Sequence, residues 1–259
     1  MSGGLRPVVA AAVCAAVASP VSAAGLDPSE EAVRDLKQGR CEAVIESLNR
    51  GLKEGERRSY FLMGYIFYRG DCVKRDPARA RPYLETAAKH GESAAAKLLV
   101  QMHGLGQGVA QSYVEAGRWT LAQTDISRLE AGKPAATPEQ AKRESDVRYL
   151  QALGILSTVW ASMQDKIVHP SRELEARTHA NNAQLPVSMR VGPMGITYSF
   201  SSAPAEIETD LQTAVLRRST APYQERVQDA IAAAIVELPP FPTPEATAEI
   251  RSVIAFKSY

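Results

Sequence analysis

Cys14, Cys41 and Cys72 are the only thiols of this 259-residue chain, and His90, His103, His169 and His179 its only imidazoles. No two of the histidines stand at metal-ligand spacing. His90 falls in the turn "AAKHGE", His103 beside a glycine-rich turn, His169 before a proline and His179 in "RTHANN", and each reads as a packed or solvated side chain. The sequence contains no Gly-x-Ser-x-Gly, Ser-x-x-Lys or P-loop motif. Met102 to Gly108 is glycine-rich, but its place is that of a turn between helices, not a phosphate cradle. Arg217-Arg218 suits an acidic partner or, more plainly, a solvated strand end. The residue types therefore give no catalytic, metal or cofactor constellation, and the reading is of a non-enzymatic protein. The remaining chemistry is that of the thiols, and it depends on where the chain resides.

The start, "MSGGLRPVVAAAVCAAVASPVSAAG", has a basic residue, Arg6, then an apolar run from Pro7 to Ala18, then Pro20 and the small-residue site Val21-Ser22-Ala23. That layout predicts a secretory signal peptide over residues 1–23. The run is too short and too rich in alanine for a spanning anchor. Val13 before Cys14 does not suit lipidation. Removing Arg6 leaves 29 basic against 29 acidic residues. A charge near zero gives no field that would gather nucleic acid or anionic lipid. The mature chain is expected in the periplasm, with no spanning segment. Two cysteines remain there, and an even count in an exported chain favours a Cys41–Cys72 disulfide over two separately buried thiols.

The elements that hold these residues repeat. At a shift of 36 residues Gly70 falls on Gly106, Val73 on Val109, Ala80 on Ala116 and Tyr83 on Trp119, while Leu48 falls on Leu84, Gly55 on Gly91 and Leu62 on Leu98. Such a period marks a solenoid of helix pairs. Leu62, Ile66 and Phe67 line one helical face, and Gly64 admits a close neighbour. Gly70 ends the helix in a left-handed conformation, and Asp76-Pro77 caps and opens the next. Ala80, Tyr83, Leu84, Ala87 and Ala88 form that helix's buried side. The segment "LMGYIFYRGDCVKRDPARARPYLETAAKHGE" resembles the Sel-one-like repeat, a relative of the tetratricopeptide repeat. Met63-Gly64, Tyr68, Gly70, Val73, Asp76, Ala80, Tyr83, Ala87, Ala88 and Gly91 carry the resemblance, and Cys72 stands where a second glycine is usual. The resemblance implies an α/α solenoid of two to three units over residues 27–126 that binds protein or peptide. Tyr65, Tyr68, Arg69 and Arg81 are the expected contact residues on its surface.

"RLEAGKPAATPEQ" interrupts the repeats, and residues 127–144 read as a linker and helix start. Thr137 and Gln140 make a capping box with Pro138 at the first helical position. One helix is predicted from about 138 to 166, with Tyr149, Leu153, Leu156, Trp160, Met163 and Ile167 on one side. "MGITYSF" alternates as a strand, with Met194, Ile196, Tyr198 and Phe200 on one face. "SSAPAE" reads as a turn and "TDLQTAVLRRS" as a second strand. A helix follows with Val227, Ile231, Ile235 and Leu238 inward, stopped by Pro239-Pro240. "EIRSVIAFKSY" closes the chain as a third strand, with Ile250, Ser252, Ile254 and Phe256 in alternation. This order over residues 145–259, with "LPPFPTP" as its proline stretch, resembles the C-terminal domain of TonB and TolA. It implies a three-stranded antiparallel sheet with packed helices and an edge strand that takes an extended peptide.

The expected fold is thus α+β: an N-terminal α/α solenoid, then a small TonB-like domain. The expected function is a periplasmic protein–protein adaptor. Its partners would be periplasmic or outer-membrane proteins, a TonB-dependent receptor or a Tol-type component among them. Ile250, Val253, Ile254 and Phe256 are the expected contact residues on the last strand. Two alternatives belong to other classes. A TonB-type energy transducer would need residues 1–23 retained as an anchor. A β-lactamase-like Sel-one-like hydrolase would need regular cysteine pairs and a catalytic constellation, and this chain lacks both.

Overall fold

Asp27, Asp76, Ser112, Thr137 and Asp146 each stand one residue before a helix and accept a hydrogen bond from a backbone N–H of its first turn. These side chains satisfy donors that the helix itself leaves unpaired. In the computed structural model, which describes residues 26–134, 136–167, 183–200 and 224–256, they open five of the helices. The helices are α1 (Pro28–Lys37), α2 (Cys41–Lys53), α3 (Arg57–Arg69), α4 (Pro77–Lys89), α5 (Ser93–Leu105), α6 (Tyr113–Glu130), α7 (Pro138–Glu144), α8 (Val147–Lys166) and α9 (224–236). The strands are β1 (Ala183–Gly192), β2 (Gly195–Phe200) and β3 (Ala248–Phe256). The leader-like residues 1–23, the turn "SSAPAE", the strand expected at 209–219, His169, His179 and Arg217-Arg218 lie outside the described residues.

The 36-residue period appears as three stacked pairs, α1 with α2, α3 with α4 and α5 with α6. Gly70 and Gly106 end α3 and α5 with φ of +89° and +69°, the left-handed conformation that the repeat glycines predict. Gly64 is needed for contact: a Cβ there would lie 2.7 Å from Leu84 Cγ on the neighbouring helix. The alanines are the stacking surface. Ala80, Ala87, Ala95, Ala96 and Ala116 are fully buried, and Leu48, Ile66, Leu84 and Leu99 fill the spaces between helices.

Cys41 and Cys72 are joined, with their Cα atoms 5.0 Å apart. The bond occupies a repeated contact. One period later, the position of Cys72 is Gly108 and that of Cys41 is Pro77. Gly108 packs so tightly on the start of α4 that a Cβ would lie 2.5 Å from Ala78 N. Both loop residues are left-handed, Gly108 at φ +73° and Cys72 at φ +61°. Cysteine in that conformation carries a steric cost that glycine avoids, and the disulfide holds it there.

The helix expected from 138 to 166 is two helices. Ser145 ends α7, and Asp146 caps α8 by accepting from Arg148 N. The second piece is the pivot of the molecule. α8 crosses α6 at a pair of glycines: a Cβ on Gly117 would overlap the Leu150 carbonyl, and one on Gly154 would overlap that of Tyr113. It also reaches α5, where Gly104 lies against Thr158. On its other side Leu153, Leu156, Val159 and Met163 join a core with Leu185, Val187, Met189 and Val191 of β1 and Val227 and Ile231 of α9.

The sheet is antiparallel in the order β2-β1-β3. The sequence reading anticipated β2 and β3 but not β1, which is the central strand. Its alternate residues Leu185, Val187, Met189 and Val191 are at most 2 % exposed. Among the described residues β1 pairs with β2 from Val187 onward, opposite Phe200, and Pro186 stands opposite Val253 of β3. Gly192 and Gly195 close the β1–β2 hairpin; of the residues expected on one face of this half-buried strand, Met194 is fully exposed in the turn and Tyr198 is exposed on β2. α9 meets the expectation, with Val227 and Ile231 buried and Ile235 and Leu238 packed at the core's margin.

Candidate functional site

A cleft of about 650 Å³ lies where the repeat helices meet the sheet. α6 contributes Thr120, Gln123, Thr124 and Ser127. α8 contributes Ser157, Trp160, Ala161 and Gln164. In both sets the spacing is i, i+3, i+4, i+7, so each helix presents one stripe. The third wall is Ile250, Arg251 and Ser252 of β3, with Lys97 and Val100 of α5 at one end. Successive residues of a strand point to opposite faces. Three consecutive residues lining one cleft therefore present the strand's edge, its backbone, rather than one of its faces. Among the described residues β3 pairs with β1 alone, so the edge toward the cleft has N–H and C=O groups without a sheet partner.

The walls are mostly uncharged. The hydroxyls of Thr120, Thr124 and Ser157 donate to carbonyls four residues back, at 2.9, 2.9 and 2.7 Å. Their lone pairs remain available as acceptors, and the Gln123 and Gln164 amides can both donate and accept. Trp160 is half-buried and supplies an aromatic surface. Lys97 is half-buried, and burial lowers its ammonium pKa, against a raising influence from Asp165. Asp165 accepts from Gln101 Nε2 at 2.5 Å. Arg251 is held by Glu249 through two contacts of 2.8 and 3.2 Å. First Arg251 and then Ser188 bring the Glu249 carboxyl down to about 2.

The residues expected on the binding surfaces divide. Ile250 lines the cleft, with its side chain partly packed on the core. Val253, next along β3, is exposed. Ile254 is buried in the core, opposite Leu185 of β1, so its side chain holds the sheet together rather than facing a partner. Phe256 lies on β3 opposite Ala183. On the repeats, Tyr68 is more committed than expected. Its phenol donates to Gln107 Oε1 at 2.6 Å, and burial raises its pKa. Tyr65 is half-buried beside Phe61, their ring centres 5.8 Å apart. Arg69 is exposed at the end of α3, and Arg81 faces Glu85 one turn on along α4 at 3.8 Å. His90 stacks beside Tyr60, and His103 is half-buried with burial lowering its pKa. Among the described residues no group of three or more His, Cys, Asp or Glu side chains is placed to hold a metal ion.

Sequence reasoning missed the cleft. Its only advance signal was the pair of small-polar stripes on α6 and α8, which resemble solvated helix faces. Trp160 was anticipated as one of the packing residues of its helix.

No family model matches the chain, and no curated protein does. Among similar solved structures, two match part of it. A protective antigen present in uropathogenic Escherichia coli strains, displaying an SLR fold, is 22% identical with a TM-score of 0.36, over 56% of this chain and 33% of that one. A Sel1 repeat protein from Oxalobacter formigenes is 17% identical with a TM-score of 0.37, over 58% of this chain and 66% of that one. The chain thus spans a third of the length of the first and just under two thirds of the second.

Proposed function

We propose that this chain is an exported, non-enzymatic adaptor of protein–protein contacts, a helical-repeat scaffold that carries a small sheet whose β3 edge takes an extended segment of a partner. The observation that carries the reading is the cleft: Ile250, Arg251 and Ser252, consecutive on β3, face two helix stripes across it. A segment laid there would pair its backbone with β3 and set its other edge against hydroxyl and amide groups. Export is supported by the arrangement of residues 1–23, and the two cysteines, bonded in the fold, suit an oxidising compartment. Among the described residues no helix is long and apolar enough to cross a membrane. The resemblance of residues 145–259 to the TonB and TolA C-terminal domain supports strand addition as the binding mode. It makes a periplasmic or outer-membrane protein, a TonB-dependent receptor or Tol-type component included, the class of partner.

Proline at Val253 or at Ala255 tests the mode. Each replacement removes one backbone donor from β3, and whichever variant keeps its circular dichroism spectrum is carried forward. Partner recovery by crosslinking pull-down from the periplasm should fall at least about tenfold, the effect of about 1.4 kcal/mol. Full recovery with both prolines in folded protein would place the contact elsewhere.

A further inference from the structure

We propose that the segment taken by the β3 edge carries a carboxylate side chain that pairs with Lys97, so that the cleft selects acidic strands. This rests on the strand-addition reading above and names the chemistry of its occupant. Lys97 lines the cleft at its α5 end, yet none of the described residues lining it is Asp or Glu. The other cation of the lining, Arg251, is already held by Glu249. Among the described residues Lys97 belongs to none of the ion pairs, while Asp165, the acid that acts on it through space, has an oxygen engaged by Gln101. A half-buried ammonium without a close counter-charge has lost hydration that nothing yet replaces, and a carboxylate delivered by a ligand restores it. Uncharged hydroxyl and amide walls impose no competing charge on that position. One uncommitted cation is too few for a polyanion such as nucleic acid, whose binding needs several phosphates neutralised together. A single acidic residue in a strand matches both the charge and the shape.

The test uses the folded chain and random dodecapeptides displayed on phage, selected in parallel on the wild type, Lys97→Gln and Lys97→Glu, with circular dichroism confirming that each variant is folded. The wild type should enrich extended peptides with Asp or Glu at one fixed position. A synthetic peptide of that sequence should bind Lys97→Gln at least about tenfold more weakly, as expected for loss of a charge-assisted contact. Lys97→Glu should turn the preference to Lys or Arg. Should Lys97→Glu not fold, the loss on Lys97→Gln carries the test. Hydrogen exchange of the β3 amides separates the two levels of the account. Selected peptides that protect β3 but show no acidic preference, or the same preference on all variants, overturn the role of Lys97 and leave strand addition standing. Peptides that leave β3 unprotected, or no selection above background, overturn both.

Discussion

Gly154 of α8 lies against the backbone of Tyr113 of α6, so close that a Cβ on Gly154 would overlap the Tyr113 carbonyl oxygen. The contact fixes the cleft. It sets how near α8 comes to the repeats, and α8 in turn carries the sheet through Leu153, Leu156 and Met163. The reciprocal position on α6, Gly117, is as tightly placed against Leu150.

Alanine at Gly154 should therefore act far beyond its one methyl group. The clash is with backbone, which cannot swing aside, and the expected loss is about 3 kcal/mol of unfolding free energy. Gly39 is the control: it is left-handed with nothing near it. Asn there tolerates the conformation and should cost no more than about 1 kcal/mol. Urea unfolding followed by circular dichroism makes the comparison. Equal stabilities for Gly154→Ala and Gly39→Asn would remove the glycine crossing as the pivot.

The disulfide gives a paired expectation. Its cysteines are 31 residues apart, and closing a loop of that size stabilises by roughly 3–4 kcal/mol in the chain-entropy model. Intact mass of protein purified without reductant should rise by about two hydrogens on reduction, and the unfolding midpoint should fall. In a Cys41→Ser background, Cys72 holds a left-handed conformation without the bond that keeps it there. Cys72→Gly should then be more stable than Cys72→Ser by about 1 kcal/mol. The opposite order would mean that this loop relaxes out of the left-handed region once the bridge is gone.

Tyr113 joins the repeats to the proline stretch. Its phenol donates to the Pro239 carbonyl at 2.8 Å, its ring meets Phe241 edge-on, and burial pushes its pKa up to about 12. The folded state therefore keeps this proton through a range in which the unfolded chain, at the ordinary value near 10, loses it. Its contribution is complete below pH 10 and is lost as pH rises toward 12. Tyr113→Phe should flatten that part of the stability–pH curve. At neutral pH it should cost about 1–2 kcal/mol for the unpaired carbonyl. An unchanged slope between pH 10 and 12 would show that Tyr113 ionises freely.

The repeats were legible because their determinants are local and recur: Gly70 and Gly106 need the left-handed region, and Ala80 and Ala116 need to be small. Asp76-Pro77 and Thr137 with Gln140 signalled helix starts through their own side chains. β1 is the part of the sheet that the sequence analysis did not reach, although Leu185, Val187, Met189 and Val191 alternate, because a proline within the run, Pro186, disguises a central strand. The break at Ser145-Asp146 was hidden because apolar periodicity resumes beyond it. The double role of α8 follows from burial almost all round, from Ala152 to Val159. A one-sided reading of that helix, from Tyr149 to Ile167, could not show it. The cleft was least legible. It depends on where a strand edge comes to rest beside two helices, and no residue type encodes that.

Docking at the β3 edge within the cleft is probed by a photoreactive benzoylphenylalanine placed at Ser252 in the full chain expressed in its own cell. Val236, exposed on α9, is the control position. An adduct should form from Ser252 but not from Val236. Peptide mapping should place it within one extended run of a partner protein, and Val253→Pro or Ala255→Pro should abolish it in folded chain. Equal adducts from both positions, none from Ser252, or an adduct indifferent to both prolines would contradict it.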